Sequence, residues 1–146
     1  MADLDKNPRV NKIYIVIALL ITIVGLTIYF WPEQDPFYED RELISEALEE
    51  HIELVQNGLD RGVSVGSVHM VESENANHIY LGGLLRDSVL RGMFACWLLD
   101  AEAGEIYAVD FLAEEFTRFT PAVDAGFDIQ YPSKECGILA NFLEQP

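Results

Sequence analysis

Apolar and polar residues follow three different patterns along this chain, one unbroken and two periodic, and each predicts a different element. From Ile13 to Trp31 there is no rhythm at all: nineteen consecutive positions lack a charged side chain, and Lys6, Arg9 and Lys12 precede them. A helix rising about 1.5 Å per residue would cover roughly 28 Å over that stretch, close to the ~30 Å hydrocarbon thickness of a bilayer. The stretch reads as one transmembrane helix, ended by Pro32. Tyr14 on one side and Tyr29, Phe30 and Trp31 on the other place amphipathic rings near the two membrane interfaces. A cleaved signal peptide would have a shorter apolar core followed by small residues, whereas this core leaves through Tyr-Phe-Trp-Pro. Gly25 has Ile21 and Tyr29 four positions away, so no Gly-xxx-Gly seam is present, and the span is expected to act as a passive tether.

The next rhythm is helical. Asp35-Pro36, or Asp40, offers a start, and Leu43, Ile44, Ala47, Leu48, Ile52, Val55 and Leu59 recur at three- and four-residue steps. Glu42, Glu46, Glu49, Glu50 and Glu53 take the other side of this predicted helix, and Gly58 ends it. Beyond Gly62 the period falls to two. Val63 to Met70 reads as a strand, Glu72 to Asn77 as a polar turn and His78 to Leu85 as a second strand, with Gly82-Gly83 marking a bulge or a close backbone approach. Met93 to Leu99, an Asp100 to Gly104 turn and Glu105 to Val109 make a β-hairpin. Asp110 is placed to cap a helix from Phe111 to Phe119 that buries Leu112, Ala113, Phe116 and Phe119 and stops at Pro121. Phe127 to Tyr131 reads as a last strand, and Ser133 as the cap of a helix through Leu143.

These elements predict an α+β fold: an N-terminal transmembrane helix, then a small exported domain whose long amphipathic helix packs on an antiparallel sheet of three to five strands. The chain divides into a tail (1–12), the span (13–31), a short linker (32–39) and the domain (40–146). Phe94 and Trp97 fall on opposite faces of their strand, so either both faces are covered or one aromatic is left outward as a docking surface.

Charge sharpens the picture. Of the 25 acidic and nine basic residues, 23 and six lie after the span, leaving the exported part at −17. The basic tail and acidic exit predict a cytoplasmic N-terminus and a periplasmic or extracellular domain. A domain so acidic is repelled by nucleic acid, so no nucleic-acid partner is expected. The expected partners are the bilayer, through residues 13–31, and other membrane proteins. The glutamate face Glu42, Glu46, Glu49, Glu50 and Glu53 is a candidate surface for a basic partner.

Candidate chemistry is sparse. Cys96 and Cys136, both in the exported part, allow one disulfide; unbridged, they are two small core thiols. Neither belongs to a Cys-x-x-Cys pair, and the three histidines do not cluster, so no metal site or cofactor is expected. His51 and Glu53 fall on different helix faces, while His69 and His78 flank a turn and are placed to meet across it. Asp100, Glu102 and Glu105 lack the spacing of a calcium loop. No serine sits in a Gly-x-Ser-x-Gly elbow, and no glycine loop is followed by Lys-Ser/Thr. The expectation is a non-catalytic, membrane-anchored accessory or protein-interaction subunit. The alternatives are a ligand- or cation-sensing domain, or an inhibitor of a basic partner.

Overall fold

A computed structural model describes residues 15–24 and 38–145. The chain divides into two compact units, 1–35 and 36–146. In the first, residues 15–24 form a helix (α1) with every side chain exposed, inside the apolar run read from the sequence. Among the described residues no helix is long and apolar enough to cross a membrane. The expected interface anchors Tyr14, Tyr29, Phe30 and Trp31, and the start at Asp35-Pro36, lie outside the described residues.

The second unit runs α2 (Tyr38–Leu43), β1 (Ile44–Glu46), α3 (Glu49–Gly58), β2 (Ser64–Glu72), β3 (His78–Arg86), β4 (Arg91–Asp100), β5 (Glu105–Ala108), α4 (Phe111–Phe116) and α5 (Lys134–Leu143). The five strands form one antiparallel sheet in chain order, β1-β2-β3-β4-β5. The fold is α+β.

Its centre is the β3–β4 hairpin, whose strands are apolar on both faces. Leu81, Leu85, Trp97 and Leu99 join Val55 of α3 and Ala113 of α4 in one buried cluster. Tyr80, Cys96 and Leu98, pointing the other way, join Cys136 and Leu139 of α5 in a second. The sheet is therefore a filling between α3 and α4 on one side and α5 on the other, which corrects the expectation of one long helix on one face. The physical reason is the near-continuous apolar run in both strands, the pattern of a sheet covered on both sides. Trp97 goes to the first face, fully buried, and half-buried Phe94 to the second.

The single helix expected from Asp40 to Asn57 is two helices with a strand between them. Ile44, Ser45 and Glu46 pair with Val71, Met70 and His69, and the Ala47 N–H donates to the Val68 carbonyl at 2.8 Å. Leu48, at φ −62° and ψ 149°, is extended and opens α3. Leu43 and Leu48 are 60% and 62% exposed, so the three- and four-residue apolar spacing was not one buried stripe. The edge of β2 offers unpaired backbone groups, and pairing them outweighs helix continuity in a segment loaded with like charges.

Three further boundaries move. The helix after Asp110 stops at Phe116, because Thr117 is extended and bridges to Leu59. Phe127 to Tyr131 is irregular and not a strand; Phe127 and Ile129 pack their side chains against the α5-side core, while the sheet edge they would have joined is already taken at Ala108 by Thr120 to Ala122. Gly82-Gly83 marks a close approach and not a bulge, since both stay in register with β4. A methyl on Gly82 would lie 2.9 Å from the Phe94 ring and 3.0 Å from Leu139 Cβ, and one on Gly83 would lie 2.5 Å from Val65 Cγ2. The irregularities fall instead between Val65 and Val68 and between Leu85 and Arg86.

Cys96 and Cys136 form a disulfide with Cα atoms 5.9 Å apart, across 40 residues. It ties the middle of β4 to the first turn of α5, whose start is capped by Ser133 accepting from the Cys136 N–H at 3.1 Å. Two stability predictions follow from this face. Replacing both cysteines with alanine is expected to cost about 2–4 kcal/mol of unfolding free energy in urea titrations, with amide exchange accelerating first in α5. Gly82→Ala is expected to cost about 1–3 kcal/mol by overpacking the same seam, read as a lower urea midpoint.

Candidate interaction groove

One end of the sheet is left open by a mismatch of strand lengths. β4 has ten residues and β5 four, and their ladder begins only at Trp97↔Ala108. One position further, the Val109 N–H donates to the Cys96 carbonyl at 3.0 Å, and then the chain turns away. It turns because Asp110 caps α4, its carboxylate accepting from the Ala113 N–H at 2.8 Å. The stretch of β4 before Cys96 consequently faces a groove where a fifth-strand continuation would lie. This groove holds about 360 Å³ and is lined by Gly92, Met93, Phe94, Asp110, Phe111, Leu112, Tyr131 and Glu144.

Its rim is apolar in an otherwise acidic domain. Phe111 is 67% exposed, Tyr131 72% and Met93 45%, contributed by α4, the loop before α5, and β4 respectively. Gly92 and Glu144 also line an adjoining cleft of about 720 Å³ that contains Arg86 and Arg91. Large apolar side chains gathered around a concavity on a small domain are the usual mark of a contact surface.

Asp110 is the strongest electrostatic feature of the groove. Burial pushes its carboxyl up from 3.8 to about 6, and the neighbouring Glu114 charge adds to the rise. Hydrogen bonds from the backbone N–H groups of Ala113, Cys96 and Leu112 pull the other way without cancelling it. Desolvation of a carboxylate thus outweighs even a helix-capping position.

A second hollow, about 600 Å³, lies at the start of α5. Its polar atoms are engaged with one another: the Glu135 carboxylate accepts from Ser73 Oγ at 3.4 Å and from Ser133 Oγ at 3.2 Å. The Tyr80 phenol is pushed up by burial and by the Glu135 charge, against a hydrogen bond with Ser133. This network fixes the first turn of α5 to the sheet.

The residues singled out from sequence are dispersed. Glu42 sits on α2, Glu46 on β1 and Glu49, Glu50 and Glu53 on α3, all exposed, so they do not share one helix face as expected. The reason is the strand inserted at Ile44. His69 and His78 do not meet: His69 is opposite Gly82 and packs edge-on against Phe142 at 5.1 Å, while His78 is opposite Asp100 and packs against Phe127 at 5.3 Å. His51 is half-buried on α3, with no described residue bonded to its Nδ1. Asp100 Oδ1 accepts from the N–H groups of Glu102 and Ala103, which makes it a turn residue. Among the described residues no group of three or more His, Cys, Asp or Glu side chains is placed to hold a metal ion.

Sequence reading missed the groove. One signal was available: Phe111 follows a capping residue yet falls outside the buried stripe of its own helix. Met93 and Tyr131 carry no such mark. No family model, curated protein or solved structure matches the chain.

The raised Asp110 carboxyl makes a pH prediction. Between about pH 4 and 6 the folded protein keeps a proton that the unfolded chain releases, so Asp110 makes stability fall as pH rises through that window. Asp110→Asn retains a capping oxygen and removes the ionisation. It is expected to gain about 1–2 kcal/mol on the wild type between pH 4 and 7, the shift being discounted for the solvent that reaches the group, as read from urea midpoints at the two pH values.

Proposed function

We propose that this protein is a membrane-anchored, non-catalytic interaction subunit of a membrane assembly, tethered through residues 13–31 and presenting its acidic α+β domain outside the cytoplasm. The observation that carries this reading is the apolar rim of Met93, Phe111 and Tyr131 around the open end of the sheet. Three large side chains from three separate segments converge there. Leaving them in water forgoes burial worth roughly 1.5–3 kcal/mol for each such side chain, which contact with a partner recovers.

Two further features support it. The apolar run at the N-terminus is sized for a single bilayer crossing, and the linker to the first helix of the domain is short, so the domain works close to the membrane. The domain's charge of −14, from 20 acidic and six basic residues over 40–146, keeps it soluble and monomeric at that surface and selects against anionic partners. The glutamates are spread over α2, β1 and α3 and line no concavity with them, whereas the groove gathers three apolar side chains around one.

Purification of the tagged full-length protein in mild detergent, followed by native sizing and mass spectrometry, tests this. A stoichiometric set of membrane proteins is expected, lost from Phe111→Ser and Tyr131→Ser and retained by Leu48→Ser, whose side chain is 62% exposed beside β1 at the opposite edge of the sheet. A monomer at every detergent condition, or capture indifferent to Phe111 and Tyr131, overturns the reading.

A further inference from the structure

We infer that the uncovered part of β4 is a strand-addition site, and that its occupant is an extended, basic segment of a partner protein carrying apolar side chains. The inference rests on the interaction reading above and adds to it a backbone mode of docking and the partner's charge.

The backbone directions along β4 can be followed residue by residue. Cys96 sends its carbonyl to the Val109 N–H and its own N–H to the Asp110 carboxylate, both on the β5 side. Ala101, an odd number of residues away, sends its N–H to the Asn77 carbonyl on the β3 side. In an antiparallel sheet these directions alternate with a period of two, so the N–H and C=O of Phe94 point the same way as those of Cys96. At Phe94, however, β5 has ended and the chain has become α4. No described residue bonds to these two groups on that side.

The groove around this donor–acceptor pair has the shape of a strand slot. Met93 shares the sheet face of Ala95 and Trp97, while Phe111 reaches the groove from α4 and Tyr131 from the loop before α5. Side chains of a visiting strand alternate between its two faces and would meet both lips, while its backbone would satisfy Phe94. The slot is short, because a bulge at Gly92, with φ 75°, ends the regular edge. One or two ladder bonds and a pair of side-chain contacts define a compact epitope.

Charge names the occupant. Asp110 and Glu144 line the groove, and the domain around it is at −14, so a second copy of this chain or an acidic peptide is repelled. Arg86 and Arg91 stand in the adjoining cleft, which places the partner's basic side chains at the Asp110 end.

The test uses the full-length protein in nanodiscs of zwitterionic lipid and three acetylated, amidated heptapeptides. The first alternates valine and arginine, the second replaces arginine with glutamate, and the third carries proline at its centre. The valine–arginine peptide is expected to bind saturably and to slow hydrogen exchange at the Phe94 amide but not at Gly126. The glutamate and proline peptides should bind at least about tenfold more weakly, as expected from lost charge complementarity and a lost ladder bond. Phe111→Ser and Tyr131→Ser should weaken the first peptide about tenfold, the scale of a lost hot-spot contact, and Leu48→Ser, at the opposite edge of the sheet, should not. Binding without protection of Phe94, or equal binding of the proline peptide, overturns strand addition while leaving the interaction reading in place. Equal binding of the glutamate peptide overturns the basic partner. Protection of Phe94 by nanodiscs alone, or by dimerisation seen on sizing, assigns the edge to lipid or to a second copy and overturns the inference. Failure of the interaction reading itself is registered separately, by capture that ignores Phe111 and Tyr131.

Discussion

The domain is organised by one constraint: the β3–β4 hairpin is apolar on both faces and neither can be left in water. Trp97 and Leu81 on one face and Cys96 and Leu98 on the other are each almost wholly buried. At roughly 25 cal/mol per Å² of apolar surface, uncovering either side would forfeit several kcal/mol, a large share of what holds a domain of this size together. Everything else follows from covering that ribbon. α3 and α4 close the first face; α5, drawn down by the disulfide and by the glycine at position 82, closes the second.

Covering two faces of a sheet does not close its ends. The helices cover the two faces, but β5 runs out after four residues and leaves the first part of β4 without a strand beside it. The groove lies there. Its walls are the outer side chains of elements whose inner side chains make the core, so the residues that fix the fold also fix the spacing of Phe111, Tyr131 and Met93. Asp110 links the two roles. As the cap of α4 it turns the chain off the sheet, and as a partly buried carboxylate it sets the sign of the groove.

Under the proposed membrane-anchored reading, a short tether gives such a surface an advantage. A domain held next to a membrane meets membrane proteins at a high effective concentration, so a contact patch of modest size suffices where a freely diffusing protein would need a larger one. The strong negative charge limits which neighbours profit from that proximity, because it disfavours self-association and anionic lipid alike.

The sequence by itself determined the elements that depend on near neighbours. The β4–β5 hairpin was legible because its turn chemistry is local, and the caps Asp110 and Ser133 because a side chain two or three residues from its target needs no tertiary context. The α+β class was legible because period-two and period-3.6 patterns bury different faces. Tertiary structure alone decided the strand at Ile44, since a segment with helical spacing became β1 only because β2 offered an unpaired edge. It alone decided that Phe127 to Ile129 would pack side chains without pairing backbone, and that the glutamates would scatter over three elements. The groove was beyond reach for the same reason: Met93, Phe111 and Tyr131 lie far apart in sequence, and nothing local reports that β5 stops short of Phe94. Hydrogen bonds within a turn are encoded where they form, whereas the free edge of a strand is defined by which distant segment fails to arrive.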